Sequence, residues 1–151
     1  MERILLAVDG SEHSSRAADF AGQLSRRSGA PVEVLHVVPE NDLFAPGLHS
    51  YVSHSTDVEQ FYETRLALLE SRGARVVVDA ARRVEDKHGT VATEEVVVGN
   101  PPREIAAYAN QTHADCIVMG RRGLGDIGSL LLGSVSHRVG QLSQKTLITT
   151  E

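Results

Sequence analysis

Short apolar runs alternate along this chain with longer stretches of helical spacing. "ILLAV" (4–8) has the length of a buried strand and leaves through a turn-rich "DGS". Ser14 to Ser28 predicts a helix, with apolar positions at Ala17, Ala21 and Leu24, and Gly29 stands where a C-terminal cap belongs. "VEVLHVV" (32–38) predicts a second strand, closed by Pro39. Residues 39–56 form a polar loop, and Thr56 with Glu59 makes a capping-box pattern. Apolar residues then recur at Val58, Phe61 or Tyr62, Leu66, Leu69, Val76, Ala80 and Val84, with Gly73 on the same stripe. We read one long helix ending near Gly89, with Gly73 as a point where it can kink. The competing reading makes "RVVVDA" (75–80) a strand. "VATEEVVV" (91–98) predicts the third strand. In "GNPPREIAAYA", Asn100 can cap a helix and Pro101 suits its first position. "CIVMG" (116–120) predicts the fourth strand. A short helix from about Ser134 to Leu142 and a fifth strand, "TLIT" (146–149), complete the series.

Strands separated by helices imply right-handed crossovers and an open, five-stranded parallel sheet with helices on both faces. Ligands in such sheets sit beyond the carboxyl ends of the strands, where the strand order reverses. Two strand exits are unusual: "VDGS" after the first and "MGRRGLG" after the fourth. If both serve one ligand, strands 1 and 4 are neighbours flanking the crevice.

A length of 151 residues with no repeat or linker fits one domain over 1–151. The net charge of −5 argues against a general nucleic-acid binder. The apolar run in "MERILLAV" is too short for a signal peptide, and no window approaches a membrane span, so membrane insertion is not expected. The single cysteine, Cys116, lies in an apolar run and reads as a small buried hydrophobe. Together these features predict a cytoplasmic protein. Seven histidines are present, none paired with cysteine at metal-ligand spacing. His49 and His54 share one loop and read as solvated, and His36 reads as packing or capping the crevice.

Residues 119–134, "MGRRGLGDIGSLLLGS", hold five glycines. The P-loop pattern is excluded because no Gly-Lys pair exists. "GLGDIG" (123–128) matches G-x-G-x-x-G, but only one strand remains after it and no acid lies between Asp126 and Glu151 to hold a ribose. That match is read as coincidence. A third spacing is Gly120-x-x-Gly123, nine residues, then Gly133-Ser134. Here the first pair turns the chain out of the strand and the last pair opens a helix, whose free amides bind anions. Ser134 and Ser136 add hydroxyls. On spacing alone this reading and a plain turn capped by Ser134 are equally good. Arg121 and Arg122 suit phosphate or solvent, with solvent favoured for Arg121. Taken by itself, Asp9 suits a turn in which it bonds its own backbone.

The exit "VDGS", the turn "GNPPREI" and the stretch "MGRRGLGDIGSLLLGSVSHRV" resemble the universal stress protein family over nearly the whole chain. The last stretch matches that family's nucleotide signature, G-x2-G-x9-G-[S/T], which implies its ATP-binding branch. The resemblance also implies the strand order 3-2-1-4-5 of an adenine nucleotide alpha hydrolase-like fold. It implies that Asp9 contacts ribose or Mg²⁺ near the phosphates, with Val8 and Gly10 lining the same turn. Val37 or Val38 would receive adenine. Met119, Gly120, Arg122 and Gly123 would hold the ribose and first phosphates, and Gly133, Ser134, Val135 and Ser136 the outer ones. ATP is the implied ligand, with AMP or ADP as variants. A homodimer through the C-terminal strand and an unidentified regulatory partner are implied as well.

Two departures stand out. Gly140 lies inside the last helix, at a cost of roughly 1 kcal/mol against alanine. The usual proline-rich approach to the last strand is replaced by "SQKTLITTE", which touches dimer geometry and not the nucleotide residues. The leading expectation is an ATP-binding regulatory protein without dedicated catalysis. Slow ATP hydrolysis or self-phosphorylation at Ser134 or Ser136 is the enzymatic alternative. A phosphotransferase on a similar sheet typically carries "HxGH" or "SGGxDS" after the first strand, and neither occurs here. A partner-binding module without nucleotide is disfavoured by the intact signature.

Overall fold

The computed structural model describes residues 1–43, 55–121 and 133–151, with the backbone alone for residues 55–57. Five strands form one sheet in the order β3-β2-β1-β4-β5. They are β1 (Ile4–Val8), β2 (Val32–Pro39), β3 (Val91–Gly99), β4 (Cys116–Gly120) and β5 (Thr146–Thr150). Every neighbouring pair is parallel. The helices are α1 (Glu12–Ser28), α2 (Ser55–Asp86), α3 (Pro101–Gln111) and α4 (Ser134–Leu142).

Alternate residues of the central strands divide the core into two. Ile4, Leu6, Val8, Val32, Val34 and Val118 pack with Ala17, Ala18 and Ala21 of α1 and with Val77, Ala80 and Val84 of α2. Leu5, Ala7, Leu35, Val37, Ile117 and Met119 pack with Ile105 and Ala109 of α3 and Val139 of α4. Both faces are therefore covered, and β1 and β4 are buried at every residue, which explains their unbroken apolar runs. Cys116 is buried, and burial pushes its thiol pKa up, so it stays an inert thiol.

The element ends follow local chemistry. Helix α1 starts two residues before the expected Ser14, because Ser11 is the cap: its Oγ accepts the Ser14 N–H at 3.1 Å. Gly29 closes α1 in the left-handed region at φ 77°. The segment 75–80 is helical throughout, so α2 is one helix, and it ends at Asp86, shortly before Gly89. Asn100 holds the N-cap position of α3 without a side-chain capping bond, and Pro101 opens the helix as expected. After β2, Glu40–Leu43 form a short 3-10 turn. The side chain of Thr56, and with it the capping box to Glu59, lies outside the described residues. Asp115, just before β4, accepts the Glu2 and Arg3 N–H groups, and those bonds hold its carboxyl below the usual range.

Helices α1 and α2 meet without room for a side chain at Gly22. A Cβ there would lie 2.6 Å from the Val84 carbonyl oxygen and 2.8 Å from Lys87 Cβ. Valine at position 22 must push the end of α2 away, and overpacking of this kind costs roughly 1–3 kcal/mol. We expect Gly22→Val to lower the melting temperature by about 2–12 °C, given roughly 2–4 °C per kcal/mol for a chain of this size. An unchanged thermal transition would show that the helix pair is slack.

Candidate functional site

The strand order reverses between β1 and β4, and a crevice of about 620 Å³ opens beyond the carboxyl ends of the strands there. Strands 1 and 4 are the neighbours that flank it, as their unusual exits suggested.

The exit of β1 forms its near wall. Gly10 takes φ +81°, a conformation that favours glycine, and so turns the chain sharply towards α1. Asp9 lines the crevice, and its Oδ1 accepts the Ser11 N–H at 3.0 Å. The turn role and a position facing the crevice thus coexist in one side chain. Gly10 shapes the turn but is not among the lining residues. His36 donates from Nδ1 to the Val8 carbonyl at 2.8 Å and ties β2 to the last residue of β1. A carbonyl only accepts, so Nδ1 carries the proton, and in the neutral ring Nε2 is an acceptor. Val37 and Val38 line the wall at the end of β2.

The exit of β4 and the start of α4 form the far wall. Gly120 is a glycine because α1 passes so close: a Cβ there would lie 2.8 Å from His13 Cβ and 2.9 Å from the Ser14 nitrogen. The next carbonyl, of Arg121, accepts the Gly133 N–H at 2.7 Å, so α4 begins where β4 ends. Gly133 caps α4 with φ −67° and ψ 158°, an extended conformation open to any residue. The amides of Ser134, Val135 and Ser136 are the first of the helix, and the first amides of a helix have no partner within it. All three residues line the crevice, which gives this end a partial positive charge. Ser134 is exposed, whereas Ser136 is buried and its hydroxyl donates to Arg121 O at 2.9 Å and faces Gly133 O at 3.1 Å. Ser136 therefore offers a ligand its amide and not its hydroxyl hydrogen.

The geometry gathers Val8, Asp9, Val37, Val38, Met119, Gly120, Gly133, Ser134, Val135 and Ser136 around one cavity. Arg122 and Gly123, like the "GLGDIG" match, lie outside the described residues. Arg121 is not a solvated charge: the residue lines the crevice, and its side chain is 25% exposed and pairs with Glu151. The chain pattern gave no hint of Ser14, Asp42, Arg72 or Pro101, which also line it. One signal for the α2 wall was present: Gly73, set on an apolar stripe. A Cβ there would lie 2.8 Å from His36 Cδ2 and Val96 Cγ1, so the glycine lets α2 close over β2.

The sequence profile described as the universal stress protein family matches residues 1–149. The chain belongs to that family. Universal stress protein YxiE of Bacillus subtilis is 31% identical over 141 residues, which cover 93% of each chain. The solved structure of protein MJ0577, from Methanocaldococcus jannaschii, superposes with a TM-score of 0.81 at 26% identity, covering 99% of this chain and 94% of that one. A universal stress protein of Archaeoglobus fulgidus solved in complex with dAMP shares the fold at a TM-score of 0.65 and 21% identity, covering 100% and 98%. The universal stress protein fold thus accounts for the sheet order and for the crevice at its switch point. Among the described residues no helix is long and apolar enough to cross a membrane.

Proposed function

We propose that this universal stress protein binds ATP in the crevice and acts as a dimeric regulatory protein of the stress response. The observation that carries the reading is the convergence of the α4 amides at Ser134–Ser136 with the Asp9 turn across one cavity. Its volume of about 620 Å³ lies within the roughly 300–1,000 Å³ of small-molecule sites. The nucleotide bound by the Archaeoglobus fulgidus relative, dAMP, is of the same chemical class.

In this reading adenine rests against Val37 and Val38 and the ribose lies near Asp9, Met119 and Gly120. The phosphates run to Gly133, Ser134, Val135 and Ser136, with Arg122 and Gly123 completing the signature. AMP or ADP would fill the same position with fewer phosphates. A carboxylate beside a triphosphate calls for a cation. Among the described residues no three acidic, histidine or cysteine side chains converge as a metal cage. A magnesium ion held by one carboxylate and phosphate oxygens fits Asp9, since Mg²⁺ favours that donor set. Asp9→Asn can keep an oxygen for the Ser11 N–H while removing the charge. We expect it to weaken ATP binding about tenfold in Mg²⁺ and to change it little in a chelator. Equal losses in both conditions would remove Mg²⁺ from the reading.

Among the described residues strand β5 is an edge of the sheet, and unpaired edges seek partners, which supports a homodimer through that strand. Sedimentation equilibrium at tens of micromolar should show the dimer. An unidentified regulatory protein is then the downstream partner, in the cytoplasm. The direct test of the whole reading is mass spectrometry of native, undialysed protein. A co-purifying adenine nucleotide is expected; an empty protein that also fails to bind added ATP would overturn the proposal.

A further inference from the structure

Arg121 stands at the junction of the crevice and the edge strand β5. Its carbonyl accepts Gly133 N–H and the Ser136 hydroxyl, at 2.7 and 2.9 Å, and its own N–H donates to Thr150 O at 2.7 Å. Thr150 Oγ1 in turn donates to His13 O at 3.1 Å. The backbone at Arg121 is therefore pinned from several sides, the residue lines the crevice beside Gly133–Ser136, and its side chain is three-quarters buried.

That side chain is incompletely satisfied. Nη1 pairs with the Glu151 carboxylate, and Nε is buried without an acceptor among the described residues. The pair is lopsided, with Arg121 25% exposed and Glu151 72% exposed. An acid so open to water gains little from one cation, because solvent screens the pair. A nucleotide phosphate at the α4 amides would offer more charge and several oxygens to the same guanidinium fork.

Resting on the nucleotide reading above, we infer that Arg121 is a phosphate-binding residue of the crevice, occupied in the empty protein by Glu151, which a bound phosphate displaces. The side chain changes partner, the Glu151 carboxylate goes to water, and the pinned backbone stays in place. No covalent bond changes. Glu151 is then a built-in competitor for phosphorylated ligands alone. Adenosine, which has no phosphate, does not meet it.

Isothermal titration of the full chain with ATP, tripolyphosphate and adenosine tests this. Glu151→Gln should bind ATP and tripolyphosphate about two- to fivefold more tightly and adenosine unchanged. Arg121→Gln should bind ATP about tenfold more weakly, and adding Glu151→Gln to it should bring no gain. An unchanged ATP affinity in Glu151→Gln, or the same gain in the Arg121→Gln background, overturns the exchange while leaving the nucleotide reading intact. A native chain that binds neither ATP nor tripolyphosphate overturns both.

Discussion

Replacing Gly133 with valine should reduce ATP affinity at least a hundredfold while leaving the far-UV circular dichroism unchanged. The backbone does not demand glycine there, because φ −67° and ψ 158° suit any residue. Glycine at a helix N-cap is better than valine by about 1 kcal/mol, a loss the domain can bear. What a branched side chain takes away is space, since Gly133 lines the crevice immediately before the amides of Ser134, Val135 and Ser136. An anion reaches such amides only if its oxygens come within about 3 Å of the nitrogens. Two methyl groups at the entrance prevent that approach. Retained affinity with an intact fold would show that the phosphates lie elsewhere and that Gly133 merely links loop to helix. A lost fold would be visible in the spectrum, and Gly133→Ala then serves as the milder probe.

The fold was legible where burial writes a simple pattern. The runs at 4–8 and 116–120 are apolar at every position because both faces of β1 and β4 are covered. The reading of α2 as one helix survived the strand-like "RVVVDA" because Val77, Ala80, Ala81 and Val84 fall on one helical face. The crevice was legible as a place, from the two strand exits and the glycine spacing. The chemistry at its walls was less so. Gly120 looks like a turn glycine in the sequence, yet its requirement comes from His13 and Ser14 on another element. Ser136 looks like a phosphate ligand, yet its hydroxyl is turned to the Arg121 carbonyl, a bond no linear spacing encodes. Arg121 reads as a loop charge until Glu151, thirty positions away, is brought beside it. Arg72 and Asp42 reach the crevice only through the path of α2 and the 3-10 turn. Pairing across distant elements depends on tertiary geometry, which periodicity does not carry.

Bound ATP should persist in the native protein, with turnover far below the roughly 1–100 s⁻¹ of kinases. Phosphoryl transfer needs a positioned base, stabilisation of the transferring group and exclusion of water. The described groups at the phosphate end are poorly placed as bases. The Ser136 hydroxyl hydrogen is directed at main-chain carbonyls. Asp9 Oδ1 is engaged as acceptor by the Ser11 N–H in its own turn. His36 lies within β2, on the side proposed for adenine, with Nδ1 bonded to Val8 O. In the proposed site the α4 amides and Arg121 would hold a triphosphate in its ground state about as well as in its transition state, and uniform binding gives affinity without rate. Such a nucleotide acts as a ligand that biases shape or partner choice, within the limit of its differential affinity for the two states. Single-turnover hydrolysis of labelled ATP, with and without Mg²⁺, decides the matter. If label passes slowly to the protein, it should appear on the exposed Ser134 and not on the buried Ser136. Hydrolysis at several per second without a partner would overturn the regulatory reading, because a catalytic base would then have to exist at the phosphate end.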